Sequence, residues 1–171
     1  MRLLQRTTTL IALTAATAGT ALVAGPSTAA ASPRFQATVV SIGDGDTLRV
    51  SMDGRLLTIR LACIDAPEAA QHPWGGEARA YLMQRLPSGR QVTILPYGTD
   101  RYGRTVAEVI SDININLVMV EDGQAFASRR HLDDCDRKEV LAAEFRASRR
   151  RYGVWRVEGG ITRPWVFRRG R

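Results

Sequence analysis

The chain is poor in the residues that build zinc and soft-metal centres. Its 171 residues include two cysteines, Cys63 and Cys135, and two histidines, His72 and His131. Scattered as they are, these four side chains show no paired ligand spacing, which excludes a zinc-type site. Internal repeats and low-complexity segments are missing beyond the N-terminal stretch, so a repeat architecture is excluded. No stretch after residue 31 approaches the ~20 apolar residues of a bilayer span.

What is present begins with Arg2 and Arg6, then an apolar, uncharged run over residues 10–24, then small residues ending in Thr28-Ala29-Ala30-Ala31. This three-part pattern predicts a secretory signal over residues 1–31, cleaved after Ala31, and hence a secreted protein. The rival reading is a retained membrane anchor. The run is short and rich in Thr, Ala and Gly for that role. Cleavage leaves residues 32–171, enough for one domain with a real core and too few for two ordinary ones. The expected division is a domain over residues 32–160 and a basic C-terminal tail over 161–171.

The formal charge is +7, of which the signal holds only Arg2 and Arg6, so the mature part stays near +5. A basic exported protein binds polyanions, binds anionic surfaces or is simply soluble, and charge alone does not choose. In an oxidising compartment the even pair Cys63 and Cys135 reads as a disulfide. The alternative is two separate buried thiols.

Strand-like alternation occupies residues 36–42, 47–52 and 55–64, with Asp53-Gly54 as a two-residue hairpin signal between the second and third. Ala78, Tyr81, Leu82 and Leu86 at helical spacing predict a first helix over 76–86, ended by Pro87 and Gly89. Residues 91–95 and 105–110 fit a fourth and a fifth strand, with a polar loop over 98–104. Asn116 is expected to cap a short helix ending at Gly123, and Asp133 or Asp134 a longer one running to about Tyr152. Five short strands with a helix between the third and fourth is the element order of the OB-fold, a partly open barrel that binds oligonucleotides. The predicted fold class is therefore mainly β with helices (α+β).

Metal-assisted phosphodiester hydrolysis requires carboxylates for the metal, cations for charge growing on phosphorus, and a means of activating water. Compact clusters offer each: Asp44-Gly45-Asp46 before the second strand, Arg60 and Asp65-Ala66-Pro67-Glu68 at the end of the third, and Arg101-Tyr102-Gly103-Arg104 before the fifth. Taken singly, each has a plainer explanation: an Asp-Gly turn, a helix cap, an exposed strand arginine, a solvated hairpin loop.

Together, Gly45-Asp46-Thr47, Arg60-Leu61, Asp65-Ala66-Pro67-Glu68 and Asp100-Arg101-Tyr102-Gly103-Arg104 resemble, in order and spacing, the staphylococcal (micrococcal) nuclease or thermonuclease family. The resemblance runs from about Ala37 to Trp155. It implies a five-stranded OB barrel with about three helices, calcium (Ca2+) as cofactor, and hydrolysis of both DNA and RNA. By position, Asp46, Asp65 and the main-chain carbonyl of Ala66 resemble the calcium ligands, and waters and a phosphate oxygen would complete a shell of six to eight oxygens. The family often has Thr at the Ala66 position, a change that a backbone ligand tolerates.

Glu68 resembles the proposed general base, and Arg60 and Arg104 the two arginines whose planar forks grip phosphate. Asp44 either acts through water or only shapes its turn. Arg101 and Tyr102 are candidates for contact with a terminal phosphate, against the alternative of solvent and packing.

After Gly123 the chain departs from the family: where tyrosines suited to nucleoside stacking are expected, it has Arg129, Arg130 and His131. Arginine both stacks on bases and binds phosphate. A solvated surface loop explains these three residues as well. A histidine-metal nuclease is excluded by the want of a third ligand. Arg146, Arg149, Arg150 and Arg151 fall near the end of the last helix, where cations are favourable in their own right.

A non-catalytic OB-type nucleic-acid-binding module is the competing function. It would have no use for Asp46, Asp65 and Glu68, which repel phosphate unless a metal intervenes. No obligate protein partner is evident, and a monomer is expected.

Overall fold

A computed structural model describes residues 33–170. The expected signal over residues 1–31 lies outside them, as does Arg171.

Strand β1 (Phe35–Ile42), β2 (Thr47–Met52) and β3 (Arg55–Leu61) form an antiparallel meander. The tight β2–β3 turn places Asp53 and Gly54 at φ 49° and 76°, the pair of left-handed residues that a two-residue hairpin favours. β5 (Gln91–Thr99) pairs with β1, and β6 (Thr105–Ser111) pairs with β5. A parallel pairing of β3 with β6, Ile59 opposite Thr105 through Leu61 opposite Ala107, closes these five strands into a barrel. Its interior is filled by alternate residues of each strand, among them Val39, Leu48, Val50, Ile59, Leu61, Ile94 and Val109, all buried. This is the expected five-stranded α+β barrel.

Three boundaries differ from expectation. The third strand stops at Leu61 because Cys63 takes a left-handed φ of 64°. The chain then resumes as β4 (Ile64–Asp65), which pairs with β8 (Phe126–Ala127) in a separate two-stranded sheet. β5 runs on through Pro96 to Thr99, with an irregularity between Pro96 and Gly98 where proline cannot donate to the ladder. Helix α1 (Trp74–Arg85) begins two residues before the predicted Gly76.

Two expected helix caps are corrected. Helix α2 (Ile115–Glu121) follows the two-residue β7 (Ile113–Asn114) and is capped by Asn114, whose side chain accepts from Leu117 N. Asn116 is instead buried. It accepts from Val109 N and donates to the carbonyls of Ala62 and Ala107, each at 3.0 Å. It thus pairs the Val109 N–H and the Ala62 carbonyl where β3 ends beside β6, and adds a second donor to the Ala107 carbonyl, which already accepts from Ala62 N at 2.8 Å, a buried demand that no local pattern reveals. Helix α3 (Arg137–Arg150) is capped by Asp136 rather than Asp133 or Asp134, and ends at Arg151 in a left-handed conformation.

Cys63 and Cys135 are bonded, with Cα atoms 6.4 Å apart. The bond ties the β3–β4 turn to the loop that precedes α3. Arg146 and Arg150 both pair with Glu121, so the basic face of α3 joins it to α2. Residues 161–170 are ordered against the domain. Short helix α4 (Pro164–Phe167) starts at buried Pro164, and the ring of Trp165 meets Phe126 edge-on at 6.2 Å. Among the described residues no helix is long and apolar enough to cross a membrane.

Candidate active site

The candidate residues meet where the ends of β1, β3 and β5 converge beside the N-terminal end of α1. In the β1–β2 turn, Asp44 Oδ1 accepts from Asp46 N at 3.1 Å, so Asp44 shapes the loop. Gly45 must be glycine: a Cβ there would lie 2.7 Å from Ala66 Cβ and 2.8 Å from Ala78 Cβ. This close approach sets the Asp46 backbone against the turn that carries Asp65.

Asp46 Oδ2 accepts from Ala66 N at 2.8 Å, which joins the two acidic segments directly. Arg60, opposite Thr47 in the β2–β3 register, directs Nη2 between Asp46 Oδ2 and Asp65 Oδ1, 3.1 Å from each. Its Nη1 donates to the carbonyls of Leu61 and Ile64 at 2.5 and 3.1 Å. Both carboxylates are almost wholly buried, Asp46 at 7% exposure and Asp65 at 4%. Burial pushes the Asp46 carboxyl up from 3.8 to about 6, Arg60 opposes the rise, and neighbouring Asp44 and Asp65 add to it. For Asp46, Arg60 is the one cation that opposes burial, and it does not offset it.

Arg104 reaches the same place from the β5–β6 turn. Its Nε donates to Asp100 Oδ2 at 2.8 Å, and its Nη1 lies 3.4 Å from Thr47 Oγ1, which itself lies 3.3 Å from Asp46 Oδ1. Burial would raise the Asp100 carboxyl, but hydrogen bonds from Arg104 and from Tyr102 N outweigh it and hold the group below its ordinary value. Arg101 and Tyr102 extend from this turn into solvent. The Arg101 guanidinium lies 4.7 Å from the centre of the Tyr102 ring, which is 67% exposed.

Glu68 sits on the rim, its backbone N donating to Gln71 Oε1 at 3.0 Å. Its carboxylate is bound by Arg168, whose Nη2 also reaches Asp65 Oδ2 at 2.6 Å. The hydrogen bond to Asp65 raises the Arg168 guanidinium above its ordinary value; burial opposes this and the bond to Glu68 reinforces it. Arg168 is the site residue that sequence reasoning missed. It lies 103 residues from Asp65 within a basic terminus, and no local signal separates it from its neighbouring arginines.

Not every candidate joins the cluster. Arg129 pairs with Glu144 and donates to the carbonyl of Ala127 at 3.2 Å, so it braces β8 against α3, whereas Arg130 and His131 are exposed. A cleft of about 460 Å³ opens elsewhere, lined by Arg85, Arg90 and Asp112 among others, and none of the candidate residues lines it.

Among the described residues no three or more His, Cys, Asp or Glu side chains form a metal-holding group. A hard cation that takes most of its ligands from backbone oxygen, water and substrate needs fewer carboxylates. The pair Asp46 and Asp65, all-oxygen and buried, suits such an ion.

The protein-family model described as "Staphylococcal nuclease homologue" matches residues 58–157. Micrococcal nuclease of Shigella flexneri is 35% identical over 145 residues, covering 79% of this chain and 81% of the relative. An uncharacterized endonuclease of Escherichia coli O157:H7 is 34% identical, covering 76% and 82%. Protein ParB of Escherichia coli is 37% identical, covering 77% of each chain. With a closed five-stranded barrel and acids and arginines gathered at one end of it, the chain belongs to the staphylococcal nuclease family.

Proposed function

We propose that this protein is an exported, calcium-dependent nuclease that hydrolyses phosphodiester bonds of DNA and RNA. The observation that carries this reading is the convergence of Asp46 and Asp65 on Arg60 in a buried pocket. A binding module gains nothing from burying two acids where phosphate must approach.

Asp46, Asp65 and the Ala66 carbonyl would hold the ion through oxygen, with waters and a substrate phosphate oxygen as further ligands. When bound, calcium supplies Lewis-acid polarisation of the phosphoryl group. Arg60, pinned by two carbonyls, and Arg104, pinned by Asp100, present preoriented donors to the same phosphate. Charge on the equatorial oxygens grows as water attacks, so fixed guanidinium groups bind that state better than the ground state. Glu68 takes the proton from water as the new P–O bond forms and the bond to the leaving oxygen breaks. Arg101 and Tyr102 form the exposed rim that contacts a terminal phosphate. The disulfide accords with export into an oxidising compartment.

Digestion of plasmid and of RNA with calcium, then with chelator, tests the activity. Arg60→Lys, Arg104→Lys and Glu68→Gln are each expected to lower single-turnover hydrolysis of a short oligonucleotide at saturating calcium. For either arginine the expected loss is about 10²–10³-fold, because lysine keeps the charge and loses the fork. If all three variants cleave at close to the wild-type rate, the assigned roles are wrong.

A further inference from the structure

Both oxygens of Asp65 are engaged by guanidinium. Arg168 Nη1 lies 3.2 Å from Oδ1 and Nη2 lies 2.6 Å from Oδ2, while Arg60 Nη2 shares Oδ1 at 3.1 Å. Arg168 Nη1 also binds Glu68, so one side chain spans the candidate metal ligand and the candidate base.

This placement is built by the fold. Phe126 stands opposite Asp65 in the β4–β8 register. Trp165 packs edge-on against that same ring, and the Arg163 guanidinium lies 4.2 Å from its centre. Gln71, three residues after Glu68, donates to the Thr162 carbonyl at 2.7 Å. The acidic loop thus holds the segment that delivers Arg168, and β8 anchors the short helix preceding it. The Arg168 side chain itself remains 45% exposed, so it can turn toward water without disturbing those anchors.

We infer that Arg168 is a tethered counter-cation of the acidic site: it holds Asp65 and Glu68 in the metal-free protein and leaves Asp65 when the metal binds. The inference rests on Asp65 being a metal ligand, as proposed above. A guanidinium seated on both oxygens of Asp65 and a divalent ion on the same carboxylate repel each other at contact distance. Metal loading is therefore an exchange of cations, and the C-terminal turn sets its affinity. It also frees Glu68, whose carboxylate Arg168 otherwise occupies.

The test is calcium titration by calorimetry on the full chain, with thermal unfolding in chelator as a second readout. Arg168→Gln is expected to bind calcium about tenfold tighter and to unfold at a lower temperature than wild type in chelator. Arg168→Lys, which keeps charge but cannot fork across both carboxylates, is expected between them. Arg169→Gln removes the same charge from the neighbouring position and should change affinity by less than about twofold. Asp65→Asn separates the two claims. If it abolishes calcium binding while Arg168→Gln binds no tighter than wild type, the counter-cation role is overturned and the site stands. If Asp65→Asn binds calcium normally, both fall.

Discussion

Replacing Asp46 by asparagine is expected to stabilise the metal-free protein at neutral pH and to remove its response to calcium. The carboxyl is buried, and burial raises it from 3.8 to about 6 despite the opposing charge of Arg60. At 1.36 kcal/mol for each pH unit, the rise amounts to about 3 kcal/mol against the ionised form in the folded state. The sign follows from proton counting. Between pH 3.8 and about 6 the folded chain retains a proton that the unfolded chain has released, so the stability contributed by this group is present at low pH and is lost as pH rises through 6. Above pH 6 the whole cost stands. The amide that Asp46→Asn introduces has no charge to desolvate and can still accept from Ala66 N.

The assay is denaturant unfolding of wild type and Asp46→Asn in chelator from pH 4 to pH 8. The difference should be near zero at pH 4 and reach about 3 kcal/mol in favour of the variant above pH 6. In calcium at a hundred times its Kd the wild type gains about 2.7 kcal/mol that the variant cannot. A variant less stable than wild type in chelator at pH 7.5, or a difference independent of pH, would refute the reasoning.

Gly45→Ala should cost about 1–3 kcal/mol and weaken calcium binding, because its Cβ would lie 2.7 Å from Ala66 Cβ and 2.8 Å from Ala78 Cβ; an unchanged unfolding midpoint together with unchanged calorimetry would count against the close-approach account. The double change Cys63→Ser and Cys135→Ser releases a link between positions 72 residues apart, and should cost about 4 kcal/mol in denaturant unfolding, measured against the oxidised wild type. Equal stability of the two proteins would show that the link constrains little.

How much of this was legible beforehand depended on how far apart in sequence the interacting groups lie. The Asp53-Gly54 hairpin, the alternation of β1 and β2 and the helical spacing of Ala78 and Leu82 are local consequences of backbone conformation and side-chain period, and they read correctly. The acid and arginine motifs were legible as residue types, since each lies at a strand end or turn where the chain itself holds it. Helix caps were harder: Asn114 and Asn116 are chemically the same, and only where the fold brings the Val109 N–H and the carbonyls of Ala62 and Ala107 determines which one is drawn into the core.

By itself, the sequence determined the barrel's strand pattern, the supply of acids and forked cations, and the want of any zinc-type ligand set, because these depend on residue type and short spacing alone. Only the tertiary structure decided that Asp46 and Asp65 share Arg60 and that Gly45 admits the contact between their turns. It alone decided that Arg129 braces β8 while Arg168, from the last turn of the described chain, closes over Asp65 and Glu68. The physical reason is that a buried charge takes whichever opposite charge the fold brings within contact, and that choice is made by geometry across a hundred residues, to which local pattern is blind.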